Sequence, residues 1–374
     1  MLCGREVNLL QPFCRLRTHT GDGYGVAACP SLGLLVTSNK NTLSVWGVPD
    51  GASASGGGGA SGWAGASAGA GARGGGLRLV CTLGGAGSAA PMQFKFADGY
   101  YSGYLAFTTT TTSGSSSSAR PLLLVTDAGH VAVHLVDVVG GTHAGHVAAP
   151  GSIAGPRGVA ASGASPLVAV SAWEKWAIRD HVVIVYRGSG AVWEAVQVIG
   201  GGFGRPGSCF GQLSTPYGLR FNKDGSAICV AEFGNSRASV FRVGDGGFVR
   251  LVAMGLRSPM DVEEVEGGWL VACEFSHTVK FVGDDDGGDG GERPSVGDGS
   301  RDGELQYPVS LATVLGLGLV VREFGNGGRL QVFATLDAMA MWNNMSGIRI
   351  AWMSTVARAV FNRRALLKGH WQRW

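Results

Sequence analysis

The chain has few of the features that mark disulfide-bonded, membrane-spanning or nucleic-acid-binding proteins. Its seven cysteines form no CxxC pair and no regular spacing. That excludes a paired-cysteine zinc module and a disulfide framework, and an odd count without a framework fits a reducing compartment. Cys229 and Cys273 fall inside apolar segments, AICVAEF and WLVACEF, where a thiol behaves as a small hydrophobe. No run approaches the ~18–20 apolar residues of a membrane span. The opening MLCGREVNLLQPFCRLRTHT is interrupted by Arg5, Glu6 and Gln11 and so lacks the apolar core of a secretory signal. The expectation is a soluble, intracellular, cytoplasmic protein. A broad basic field is missing too. The net charge is +3, but residues 335–374 carry Arg349, Arg358, Arg363, Arg364, Lys368 and Arg373 against Asp337 alone. The rest of the chain is slightly acidic, so nucleic acid is not an expected partner.

Glycine, by contrast, is in excess, with 64 residues. Much of it lies in GASASGGGGASGWAGASAGAGARGGG (51–76), a low-complexity tract that cannot bury enough surface to order itself. TTTTTSGSSSS (108–118) and the acidic stretch 283–303 are similar in kind. All three read as disordered inserts in surface loops, where added length is thermodynamically cheap. They are not domain boundaries, because segments of one kind continue on both sides. The expected organisation is a domain over 1–334 and a separate tail over 335–374.

Those segments repeat. PYGLRFNKDGSAICVAEFGNSRASVF (216–241) aligns with PMDVEEVEGGWLVACEFSHTVKFV (259–282) and PVSLATVLGLGLVVREFGNGGRLQVF (308–333). Fainter copies stand at 24–46, 120–136 and 156–186. The hydrophobic period is 2 and the runs are short, β-branched and bounded by turns, as strands are. Pro156, Pro216, Pro259 and Pro308 are 60, 43 and 49 residues apart, and the tightest interval matches a propeller blade of ~40–45 residues. Six units predict an all-β, six-bladed propeller of four-stranded antiparallel blades. Residues 6–19 are placed to supply an outer strand that closes the last blade.

Within five of the six units, an acid-x-x-Asn step or a variant of it joins the second strand to the third. Ser38 and Asn41, Asp127 and His130, Glu232 and Asn235, Glu274 and His277, and Glu323 and Asn326 occupy it. A carboxylate can accept from the amides of its own turn, and Asn tolerates left-handed backbone. Recurrence with such swaps points to a structural turn rather than an active site.

The unit FGQLSTPYGLRFNKDGSAICVAEFGNSRASVF (210–241) resembles an NHL repeat in its Phe-Gly lead-in, Pro-x-Gly, Asp-Gly turn and Gly-Asn-x-Arg. The resemblance extends over most of 20–333 and weakens toward the N-terminus. It implies a six-bladed propeller and, for most members, a non-catalytic protein-interaction scaffold. Ubiquitin-ligase recognition subunits and RNA-binding regulators also occur in that family. A minority resemble metal-dependent lyases with zinc-binding histidines in the central channel, so a lyase or hydrolase is the rival reading.

Residues suited to chemistry are sparse. His130 and His277 sit on opposite units and cannot share one metal. His143-x-x-His146 is spaced to pair locally but lies in a Gly/Ala loop with no third ligand apparent in sequence. The Asp284–Asp289 region lacks calcium-loop spacing, and IGGGFGRPG (199–207) lacks the Lys and Ser/Thr of a phosphate loop. No catalytic residue, metal or cofactor is expected. In the tail, Met341, Met345, Ile348, Trp352, Val356 and Val360 form one apolar stripe at helical spacing, beside Arg349, Arg358, Arg363 and Arg364. This basic amphipathic helix suits an anionic membrane surface or a groove-type partner, or packs on the propeller. A protein partner is expected on the propeller face that carries the turns between second and third strands.

Overall fold

The structure is a computed structural model. It describes residues 12–16, 23–48, 77–86, 91–96, 103–111, 120–173, 181–200, 206–284, 304–314, 318–324 and 328–333. All of the described residues belong to the first unit, Met1–Ala334. The inserts at 51–76 and 285–303, Asn326 and the whole tail, including Met341, Met345, Ile348, Arg349, Trp352, Arg358, Arg363 and Arg364, lie outside the described residues. Among the described residues no helix is long and apolar enough to cross a membrane.

The first unit is a ring of six antiparallel sheets. Blade one contains β2 (Val26–Cys29), β3 (Leu34–Asn39), β4 (Thr42–Gly47) and β5 (Arg78–Leu83). Blade two contains β6 (Leu105–Thr111), β7 (Pro121–Asp127), β8 (Ala132–Asp137) and β9 (Thr142–Ala148). Blade three contains β10 (Pro156–Ala161), β11 (Leu167–Ala172), β12 (Val182–Ser189) and β13 (Val192–Ile199). Blade four contains β14 (Pro216–Phe221), β15 (Ala227–Glu232), β16 (Arg237–Arg242) and β17 (Phe248–Ala253). Blade five shows three strands among the described residues, β18 (Pro259–Val265), β19 (Gly268–Cys273) and β20 (Thr278–Gly283). Blade six contains β21 (Pro308–Val314), β22 (Gly318–Glu323) and β23 (Leu330–Phe333). Its fourth strand is β1 (Pro12–Leu16), paired antiparallel to β23. The first and last parts of the repeat region thus share one sheet, the closure anticipated for residues 6–19. β6 runs to Thr111 and takes in the start of the threonine tract, as β-branched residues allow.

The inner strands β2, β6, β10, β14, β18 and β21 each touch the next, and β21 touches β2, closing the ring. Four of them begin at a proline, where a missing amide removes no ladder bond. The residue before each proline is left-handed: Gly155 (φ 46°), Thr215 (φ 49°), Ser258 (φ 57°) and Tyr307 (φ 51°). For the three non-glycine residues this conformation is unfavourable, on the order of 1 kcal/mol each. Bonds from the preceding blade hold two of them: the amides of Thr215 and Tyr307 donate to Nδ1 of His181 (2.8 Å) and His277 (3.1 Å).

Core clusters fill the wedges between blades. Ala160, Leu167, Ala169, Val183 and Val185 of blade three meet Leu219, Ile228, Val230 and Phe241 of blade four. Each fully buried aliphatic side chain contributes about 1.5–3 kcal/mol. Gly158 shows how closely the inner strands approach, since a Cβ there would lie 2.2 Å from the Tyr217 carbonyl. The glycine of the Pro-x-Gly step is therefore required at this close approach.

Candidate functional site

The turns between second and third strands form one end of the propeller, and the register defines their true equivalence. Asn39 pairs with Thr42, Asp127 with Ala132, Ala172 with Val182, Glu232 with Arg237 and Cys273 with Thr278. The amide of Glu323 likewise donates to the Arg329 carbonyl at 2.9 Å. Ser38 and Glu274 each stand one residue away from the position that sequence alignment gives them. Ser38 turns inward and accepts from the Gly25 amide at 2.9 Å. Asn41, with its amide oriented to donate, reaches the Lys40 carbonyl at 2.8 Å and that of Phe94 at 3.2 Å. The left-handed residue is Ser236 in blade four and His277 in blade five; Asn235 uses its side chain instead.

At Glu232 the carboxylate is fully buried and accepts from Asn235 Nδ2 (2.6 Å), Arg237 Nε (2.8 Å) and the Ser239 hydroxyl. Arg237 passes the bond on to the carbonyls of Ser208, Cys209 and Gln212. Asn235 Nδ2 also donates to the Gly207 carbonyl at 2.8 Å. Blade six repeats this device: Glu323 binds Arg329 and accepts the Gln306 amide at 2.6 Å, while Arg329 donates to the Glu304 carbonyl at 2.6 Å. The acid therefore holds an arginine that bolts down the incoming inter-blade loop. The arginine of Gly-Asn-x-Arg was the visible signal for this.

The same end carries a chain of aromatic rings. Trp173 meets Tyr217 (centroids 5.5 Å apart), Tyr217 meets Phe233 (5.6 Å), Phe233 meets Phe275 (6.1 Å) and Phe275 meets Tyr307 (6.4 Å). Phe324 stacks on Tyr24 at 5.1 Å. Trp173, Phe233 and Phe324 directly follow the second strand of their blades, and Phe275 follows one residue later. Phe275 is 47% exposed, and Tyr307 and Phe324 are each 37% exposed.

The central channel is closed below this face. Tyr24, Arg157, Tyr217, Met260 and Val309, at corresponding positions on five inner strands or just before them, are all buried, as is Tyr104, one residue farther along its blade. Tyr104 spans the ring and its hydroxyl lies 3.2 Å from the carbonyls of both Met260 and Val309. Farther along, a cavity of about 230 Å³ is lined by small residues such as Ala27, Ala161 and Ala312 together with Arg220 and Glu263. Arg220 Nε donates to Glu263 at 2.5 Å and its Nη2 to the Leu311 carbonyl at 2.9 Å. Glu263 also accepts from the Thr313 hydroxyl at 2.7 Å.

Away from the channel, blade two gathers five titratable groups. Asp127, at the end of β7, accepts the amides of Lys95 (2.9 Å) and His130 (3.0 Å) and lies 3.0 Å from His130 Nδ1. His134 on β8 places Nε2 3.4 Å from the same carboxylate and Nδ1 3.3 Å from His143 Nε2 on β9. His146 completes the group, its ring centre 5.0 Å from that of His134 and 4.6 Å from that of His143. Burial alone would raise the Asp127 carboxyl, but bonds from His134, Lys95 and His130 leave it below its ordinary range. Burial, followed by the neighbouring His134 and His143, pulls His146 down to about 4. Sequence reading missed His134 as a partner of His143 and His146. The signal was three histidines flanking one hairpin, HLVDVVGGTHAGH. No model of a known protein family matches the chain, and none of the curated proteins matches it.

Proposed function

We propose that the protein is an NHL-like, non-catalytic interaction scaffold that binds an extended segment of another protein across the aromatic end of blades three to six. The supporting observation is the contiguous row Trp173, Tyr217, Phe233, Phe275 and Tyr307, with Phe275, Tyr307 and Phe324 presented to solvent. Rigid, partly exposed aromatic rings supply large contact area at low entropic loss, the composition of interface hot spots. The Glu232–Arg237 and Glu323–Arg329 bolts lie beneath the row and hold its loops in place. Recognition within a ubiquitin-ligase assembly would use this same end. Channel chemistry of the lyase type is less well supported: Tyr104 crosses the ring, and the histidine clusters among the described residues lie on blade two.

Proximity labelling with wild type and a Phe275→Ala/Phe324→Ala variant tests the proposal. Proteins labelled by the wild type should disappear from the variant's set, while Val198→Ser, on the exposed outer strand of blade three, keeps them. Identical sets from both variants at unchanged melting temperature would refute the aromatic face as the docking surface.

A further inference from the structure

We propose that His134, His143 and His146 form a binding site for one divalent transition-metal ion, zinc above all, on the outer half of blade two. One ring nitrogen of each lies within 4.8 Å of the other two. In a tetrahedral zinc site with bonds of ~2.0–2.1 Å, two ligand atoms stand roughly 3.3–3.4 Å apart. His134 Nδ1 and His143 Nε2 are separated by 3.3 Å.

The backbone is shaped to converge these rings. On a regular strand, residues three apart point to opposite faces, so His143 and His146 should diverge. The β8–β9 register slips twice: His134 pairs with His146, Leu135 with Gly145 and Val136 with His143. Ala144 and Val147 are therefore extra residues, and the bulge at Ala144, between the two β9 histidines, brings both to the side of His134. Gly145, between them, has φ 135°, which only glycine adopts readily. Bulges that re-aim side chains recur at functional sites.

The second shell is also in place. Asp127 faces Nε2 of His134 and is itself held by two backbone amides. A carboxylate behind a ligating histidine fixes the tautomer that leaves Nδ1 free to bind metal. His134 is buried against Phe94, whereas His143 and His146 are half-buried, so the solvent side leaves a fourth position for water. Bound there, the ion would staple the edge strand β9 to β8.

The test uses the full chain, stripped of metal by chelator dialysis. Zn²⁺ binding is measured by equilibrium dialysis with elemental analysis, and Co²⁺ absorption reports the ligand type. Wild type should hold one ion per chain with a Co²⁺ spectrum free of thiolate charge transfer. His143→Ala and His146→Ala, at half-buried positions, should each weaken binding at least ~10-fold, and Asp127→Asn about 10–100-fold. His130→Ala should bind as wild type does. Wild-type affinity in both β9 variants, a thiolate band, or equal loss in His130→Ala would overturn the assignment; the last would move the ion to Asp127, His130 and His134.

Discussion

Asp261, on the inner strand β18, is a buried acid. Flanked by Met260 and Val262, it is 3% exposed and sits between blades. Burial raises its carboxyl to about 6, against the opposing pull of Arg220 and of the Leu311 amide and Ser310 hydroxyl that donate to it. The folded state therefore keeps a proton that the unfolded chain gives up nearer pH 4. Stability from this group is complete below that pH and is lost as pH rises through about 6. The loss is on the order of 2–3 kcal/mol. Urea unfolding at pH 5 and pH 7 should show a larger decrease for wild type than for Asp261→Asn, because the amide does not titrate. Parallel pH profiles would dismiss Asp261 as the source. His146 works in the opposite sense: its folded pKa of about 4 lies below the ordinary value, so protonation as pH falls from 6.5 removes stability.

Among the elements, the turn from β15 to β16 was legible as a turn and illegible as a bolt. The spacing of Glu232, Asn235 and Arg237 is local, so a tight connection was readable. What the turn grips was not: Ser208, Cys209 and Gln212 belong to the preceding connection and meet Arg237 only when two blades pack. Glu232→Gln should destabilise the protein by about 3 kcal/mol, since it leaves the guanidinium buried beside a neutral amide. Adding Arg237→Met should recover part of that loss in denaturant unfolding, because no buried charge then remains. A double variant with strictly additive losses would count against the bolt. The segment around His143 and His146, which reads in sequence as a Gly/Ala loop, is instead the strand β9. Its histidines are three apart, and a two-residue period sends them to opposite faces unless bulges intervene, which only the pairing with β8 reveals.

At the scale of the whole molecule, stability rests on closure. Arg322 of β22 is fully buried and donates to the Gly23 carbonyl (3.2 Å), the Ser38 carbonyl (3.4 Å) and Asn39 Oδ1 (3.4 Å), tying blade six to blade one. Burial lowers its guanidinium to about 10. β1 adds the second tie by pairing with β23. Removing residues 1–22 would expose the β23 edge, and an exposed edge is a template for association with another chain. Light scattering of that truncation should show oligomers, and its thermal transition should broaden and fall. A monomer melting as the full chain does would show that β1 is dispensable.

Period-two alternation, Gly and Pro punctuation and a repeat of 40-odd residues determined the all-β class, the six units and the strand that closes them. These are properties of neighbouring residues, and local sterics express them wherever the chain goes. Only the tertiary structure decided which rings line one face, which arginine meets which carbonyl, and that His134, His143 and His146 converge. Each of those depends on distances between strands or blades, and such distances are set by packing around the closed ring.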